Sequence, residues 1–329
     1  MEHPIQRCNQ DVLSTIFEWA TCDNYSSRSR IATKLAMVCR RWRQIALQTP
    51  EIWRYFDINV NDRPSDIRNQ WYWLLSVRSA PPDDICIKRI NEGWMSEVPL
   101  WSIWQECGFF SLERIKRLEF IVTKSQTARM LLDQDIALPD TTIEHLFLES
   151  DMYPPKIETV APWDVSRLLA KFPRTRYLKF IRQSAFFFPS SNMFTYTTFL
   201  HIADCEQAAI CAGLSSFVNL ERLWVQATTI VDSDNVSTIL MPRLRWLCVY
   251  RANPFPWRQL RCPSLEVLTG DEWVSDPMID FLKRHPHLCD IDVQVHAYSF
   301  ASFARAVPHV ESLDIGGYIE GLVEWKDTT

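Results

Sequence analysis

Glycine is scarce in this sequence, with 7 residues in 329. A backbone that must approach a phosphate closely needs positions without a Cβ. Neither G-x-G-x-x-G nor G-x-x-x-x-G-K occurs, so no nucleotide-binding loop is expected. Excess positive charge is missing too: the formal net charge is -5 and no long basic block occurs. That removes the electrostatic footprint of a nucleic-acid binder, and no nucleic acid is expected as a partner. No apolar run approaches the roughly 18 residues of a membrane helix, and no signal-peptide pattern opens the chain, so no membrane association is expected. The cysteines at 8, 22, 39, 86, 107, 205, 211, 248, 262 and 289 form no C-x-x-C, so no zinc knuckle is signalled. Cys39, Cys248 and Cys289 sit in apolar runs and read as small packed residues. Free thiols of this kind imply a reducing compartment, cytosol or nucleus. Neither H-E-x-x-H nor G-x-S-x-G occurs, and His285 and His287 flank Pro286 without carboxylate or thiol neighbours. The expectation is a protein that is not an enzyme and uses no metal and no cofactor.

What is abundant is apolar and aromatic. Hydrophobic residues make up 47% and charged residues 23%, with 14 tryptophans, which is the composition of a folded chain. The length allows two domains or one solenoid. A pattern Φ-x-x-Φ-x-Φ, with Φ apolar, first appears at Trp53-x-x-Phe56-x-Ile58 and becomes regular from Ile115. It starts at Ile115, Ile143, Thr175, Thr197, Leu220, Leu244, Leu265, Leu288 and Val310, giving spacings of 28, 32, 22, 23, 24, 21, 23 and 22. The last six fall in the range of leucine-rich repeats, about 20–29 residues. Proline stands two residues ahead of the pattern at Pro173, Pro242, Pro263, Pro286 and Pro308. Since proline cannot continue a helix, each unit reads as helix, proline stop, short strand, loop. Segments such as 165–170 and 278–283 supply the helices, and Asp84-Ile85-Cys86-Ile87 and the run from Pro99 to Phe110 suggest a further strand and helix.

Within the strands Glu119, Lys179, Asp292 and Asp314 alternate with apolar positions, so one face meets solvent, unlike a parallel sheet buried on both faces. The fold class expected is therefore α/β, an irregular leucine-rich-repeat solenoid with a curved parallel sheet over 115–329. Residues 55–114 are a linker with irregular first repeats, and 1–54 form a small helical module. The register puts Tyr177, Lys179, Phe199, His201, Arg222, Trp224, Trp246 and Tyr250 at the centre of the concave face, followed by acidic Asp290, Asp292 and Asp314. Aromatic and arginine side chains dominate binding hot spots, so these eight are the candidate substrate-binding residues.

The helical module is organised around Val38-Cys39-Arg40-Arg41-Trp42-Arg43. Apolar residues at 31, 35, 38, 42 and 45 step by four and three, which predicts one face of a helix. Ahead of it Val12, Leu13, Ile16, Phe17 and Ala20 form the stripe of a first helix that Asp11 can cap. With the loop between them, and Leu47, Pro50 and Trp53 after them, residues 8–54 resemble the F-box. That family opens with a helix of E-I-L-x-x-I-F type and continues to V-C-R-x-W-R; the Leu-Pro that usually begins it is Cys8-Asn9 here. The resemblance implies docking on the adaptor of an SCF-type ubiquitin ligase and, through it, the cullin scaffold, with a protein substrate captured by the rest of the chain. Carried over by the motif, the adaptor-binding residues are Val12, Leu13, Ile16, Phe17, Val38, Cys39, Trp42 and Arg43. The alternative is a leucine-rich-repeat scaffold or inhibitor whose helical module does not dock.

Overall fold

The repeat pattern folds as an approach segment that ends in a strand: in the computed structural model the first position of each repeat from Ile115 to Leu288 is buried just before a strand, and residues such as Leu178 and Phe180 or Ile291 and Val293 are buried within it, whereas in the last repeat Val310 is half-buried and Leu313 exposed. The structure describes residues 7–22, 28–59, 63–78, 84–88, 115–122, 142–150, 163–164, 169–170, 172–182, 186–187, 194–205, 208–209, 211–228, 238–252 and 255–316. The run from Pro99 to Phe110 lies outside them, as do residues 165–168. The chain divides into two compact units, Met1–Asp151 and Met152–Thr329.

The first unit begins with helices α1 (Gln10–Cys22), α2 (Arg28–Val38) and α3 (Arg40–Gln48), then a single 3-10 turn at Pro50–Trp53. Strand β1 (Tyr55–Asn59), helix α4 (Pro64–Arg78) and strands β2 (Asp84–Lys88), β3 (Arg117–Val122) and β4 (His145–Ser150) follow. The strands pair in parallel, each with the next along the chain, and Phe56, Ile85, Leu118 and Leu146 share one buried register position. Parallel pairing thus starts at Tyr55, well upstream of the first regular repeat, and the strand expected at Asp84 is β2.

The helix expected to run through 31–45 is in fact two. Cys39 adopts an extended conformation (φ -158°, ψ 172°), and its Sγ accepts from the Trp42 N–H at 3.5 Å, capping α3. Arg43 Nε then donates to the Ala36 carbonyl at 3.1 Å, satisfying an acceptor at the end of α2. The V-C-R-R-W-R stretch is therefore a corner between helices, and Cys39 is exposed at it instead of packed. A second correction concerns α1: Asn9, not Asp11, holds its start, with the Asn9 Oδ1 accepting from the Asp11 N–H at 3.4 Å. Trp53 is buried against the module and donates from Nε1 to the Ala46 carbonyl at 2.8 Å.

The second unit carries seven parallel strands that pair in chain order: β6 (Tyr177–Ile181), β8 (Phe199–Ala203), β10 (Arg222–Gln226), β12 (Trp246–Tyr250), β14 (Val267–Trp273), β15 (Asp290–Gln294) and β16 (Ser312–Gly316). Short elements lie ahead of β6, at β5 (Trp163–Asp164), and between the long strands: β7 (Phe186–Phe187), β9 (Ala208–Ala209), β11 (Ile239–Leu240), β13 (Leu260–Arg261), and helices α5 (Cys211–Leu214), α6 (Asp276–Lys283) and α7 (Ala297–Ala306). Pro286 and Pro308 follow helices as expected, but Pro242 and Pro263 follow the two-residue strands β11 and β13, which pair with each other. Each unit is thus α/β, with four long parallel strands in the first and seven in the second among the described residues. Their inward residues, from Leu178 and Phe180 to Ile291 and Val293, are buried with Phe172, Phe217, Phe281 and Phe303. Where threonine takes the first repeat position its hydroxyl is satisfied by backbone: Thr175 donates to the Phe172 carbonyl at 2.9 Å and Thr197 to the Thr175 carbonyl at 3.0 Å.

With so little glycine, the turns after the strands use ordinary residues in the left-handed region: Arg182 (φ 51°), Asp204 (φ 52°), Ala227 (φ 41°) and Arg251 (φ 49°). Each follows directly on β6, β8, β10 or β12, and each costs of order 1–2 kcal/mol. The opened amides are used across the repeats. Arg182 donates to the Ala203 carbonyl at 2.9 Å, Asp204 to that of Gln226 at 2.9 Å and Ala227 to that of Tyr250 at 2.6 Å. Arg251 N–H donates instead to the Asp271 carboxylate at 2.9 Å. Gly270 is needed for a different reason: a Cβ there would stand 2.2 Å from the Val249 carbonyl oxygen.

Candidate functional site

Two surfaces gather the chemistry, one in each unit. In the first, α1 carries two adjacent apolar stripes. Leu13 and Phe17 face inward and are wholly buried, with the Phe17 ring 5.0 Å from that of Trp42. Val12, Ile16 and Trp19, spaced four and three apart, form a second stripe that is left in solvent, Trp19 being 68% exposed. At the α2–α3 corner Met37 is 71% and Val38 60% exposed, and Leu47 is exposed near the end of α3. Six of the twelve large apolar side chains exposed among the described residues thus lie in this small helical module.

The eight residues the motif offered for adaptor binding therefore divide by position. Val12, Ile16, Val38 and Cys39 are on the surface, and Arg43 is exposed with its Nε engaged by Ala36. Leu13 and Phe17 belong to the core and are unavailable to a partner, while half-buried Trp42 braces Phe17. Trp19, Met37 and Leu47 were not among the candidates. The signal that could have found Trp19 is its spacing of seven from Val12 and three from Ile16, which puts it on the stripe next to the core-facing one.

In the second unit the open face of the sheet is read directly from the register. One row runs Tyr177, Phe199, Arg222, Trp246, Val267, Asp290 and Ser312, and the next runs Lys179, His201, Trp224, Cys248, Thr269, Asp292 and Asp314. All eight substrate-binding candidates occupy this face, and their rings form one connected series. Tyr177 stacks on Phe199 with centroids 4.0 Å apart, His201 stacks on Trp224 at 4.8 Å, and Trp224 meets Trp246 edge-on at 5.7 Å and Tyr250 at 6.2 Å. Phe199 contacts His201 edge-on at 6.4 Å, closing the series. Arg222 is exposed between Phe199 and Trp246 in its row, and Lys179 is half-buried beside His201.

His201 is not presented to solvent: it is 8% exposed under its neighbours. Burial, aided by the charge of Lys179, pushes its pKa down to about 4, so the ring is neutral at pH 7. The His201 Nε2 and the Trp224 Nε1 are both buried and without a hydrogen-bond partner among the described residues. Cys248 is buried in the same row; its thiol and the Tyr250 hydroxyl are both hydrogen-bonded with the side chain of Thr269, and burial pushes the thiol up to about 11, far from a reactive thiolate. His285, outside this face, is a structural residue. Its Nδ1 donates to the Phe281 carbonyl at 2.6 Å, and its Nε2 accepts from the Cys262 N–H at 3.0 Å.

Among the described residues no group of three or more histidine, cysteine or acidic side chains could hold a metal, and no helix is long and apolar enough to cross a membrane. No family model matches the chain, and no curated protein matches it. Among solved structures it is similar to a chain of the Toll–Spatzle complex, a molecular hub in Drosophila development and innate immunity. That likeness has 11% identity and a TM-score of 0.37, and covers 80% of this chain and 43% of that one, less than half its length.

Proposed function

We propose that this chain is an F-box-type substrate receptor of an SCF-type ubiquitin ligase, with a leucine-rich-repeat-like solenoid that captures a protein substrate on its open face. The observation that carries the reading is the unpartnered apolar surface of the helical module: Val12, Ile16 and Trp19 on α1, with Met37 and Val38 at the α2–α3 corner. Fully burying one such side chain is worth about 1.5–3 kcal/mol. Several together are needed to offset an association cost of order 4–15 kcal/mol. The V-C-R-x-W-R corner gives the F-box resemblance a structural role, since Cys39 and Arg43 set the angle between α2 and α3. A receptor of this kind makes no covalent bond. It holds the substrate near the ligase's transferring enzyme and converts an encounter into a local event.

The experiment is a pull-down of the SCF adaptor by the full chain, beside the surface variant Ile16→Lys/Val38→Lys. Phe17→Ala and Trp42→Ala are unsuitable, because they remove core packing. Capture by wild type and loss in a variant with unchanged circular dichroism supports docking. The scaffold reading is favoured by Cys8-Asn9 in place of Leu-Pro, and absence of capture at micromolar adaptor would select it.

A further inference from the structure

Three arginines stand together on the segments that link β12, β14 and β15, and none of them belongs to the open face. Arg258 precedes β13, Arg261 ends it, and Arg284 follows α6. Arg261 Nη1 donates to the carbonyls of Arg258 and Leu260, each at 2.8 Å. From the next repeat, Arg284 Nη1 donates to the same Arg258 carbonyl, Nη2 to that of Trp257 and Nε to that of Asp280, each at 3.0 Å. Two guanidinium charges therefore meet at one neutral acceptor. Burial and then the charge of Arg261 push the pKa of Arg284 down, and the opposing pull of Asp280 does not offset them. The Asp280 carboxylate lies 3.9 Å from Lys283, and no ion pair among the described residues involves Arg258, Arg261 or Arg284.

The two hydrogen-bonded arginines differ in what they have left. Every nitrogen of the Arg284 guanidinium is engaged, which makes it part of the fold. Arg261 is pinned through Nη1 alone, and its Nε–Nη2 edge meets no acceptor among the described residues. That edge carries the two parallel N–H bonds that match a carboxylate. The same molecule uses it elsewhere: Arg245 sets Nε and Nη2 on Oε1 and Oε2 of Glu266 at 2.9 and 2.7 Å. Leu240 is the register partner of Arg261 in the β11–β13 ladder and is 51% exposed. An oriented guanidinium and an apolar side chain thus stand side by side, about 4.8 Å apart along the ladder. We propose that this patch docks an acidic segment of a partner protein, whose Asp or Glu carboxylate lies across the Nε–Nη2 edge of Arg261 while a neighbouring apolar residue covers Leu240. Arg258 and Arg284 supply the surrounding positive charge, which an acidic segment compensates and a basic one does not. The two recognised residues stand two positions apart in an extended segment, or roughly three to four in a helical one.

The test is display selection of random peptides on the intact chain, with peptides that also bind Arg261→Gln removed. The peptides that remain are expected to carry Asp or Glu with an apolar residue at one of these separations. Replacing that acidic residue by its amide should weaken binding to wild type about tenfold or more. Arg261→Lys keeps the charge but loses the fork, and should bind the same peptides about as poorly as Arg261→Gln. Leu240→Ser, at an exposed position, should weaken them several-fold, and it takes the place of Arg261→Gln in the subtraction if that variant alters the circular dichroism. Surviving peptides without an acidic residue, or peptides that Arg261→Lys binds as tightly as wild type, overturn the proposal. So does a selection that leaves no peptide. Self-association of the wild type that Arg261→Gln abolishes assigns the patch to a second copy of this chain and overturns docking of a separate partner.

Discussion

Single side chains carry two consequences that can be measured. His201 and His285 are both held below the ordinary histidine pKa of 6.5, by burial first and then, for His201, by Lys179. The backbone acceptor Phe281 pulls the other way on His285 but does not outweigh burial. Below pH 6.5 the unfolded chain takes up protons at these positions that the folded chain refuses. Stability is therefore fully present above pH 6.5 and falls as pH is lowered, for His201 until about pH 4. Urea midpoints at successive pH values should drop through this window, and His201→Phe should flatten the dependence; a rising midpoint would contradict the assignment. The second consequence separates neighbours on α1. Phe17→Ala removes a wholly buried ring braced by Trp42 and should cost about 3–5 kcal/mol, whereas Ile16→Ser, on the exposed stripe, should change stability by about 0.5 kcal/mol or less. Equilibrium unfolding of the two variants checks this. Sequence could not divide them, because the residues stand side by side within one apolar run and only packing tells which stripe is covered.

Elements show how much periodicity reveals. The strands were legible because burial demands an apolar residue at fixed steps, and that demand recurs with each repeat from Leu178 to Ile291. The α2–α3 corner was not, since 31, 35, 38, 42 and 45 fit a straight helix and the break depends on Cys39 acting as a cap, an uncommon use of that residue. Nor were β11 and β13, because two residues are too few to display a period of two. The left-handed turns after β6, β8, β10 and β12 were hidden because no glycine marks them. Ala227→Val should destabilise by about 1–2 kcal/mol, since a β-branched residue resists φ 41°, with Ala227→Gly close to neutral as its control. Gly270→Ala should be more severe, because the added Cβ meets the backbone of Val249 at 2.2 Å and strand β14 must move from β12. Thermal unfolding of the three variants ranks them, and an unaffected Gly270→Ala would contradict the close approach.

At the scale of the whole molecule two surfaces of different chemistry divide the proposed work. Adaptor docking on the apolar helical module should be nearly insensitive to salt, while substrate capture on the open face, beside the exposed Arg222, should weaken as ionic strength rises. Titrations at low and high salt distinguish them. The position of the open-face residues was legible in the repeat register, and the acidic end with it. Connection of the rings and burial of His201 depend on side-chain packing that register alone does not specify. The most direct test of the central claim is amide hydrogen exchange of the full chain with and without the SCF adaptor. Docking through the helical module predicts added protection confined to α1 and the α2–α3 corner, within residues 10–48, and none across β6–β16. Protection in the strands instead, or no change at saturating adaptor, would contradict it.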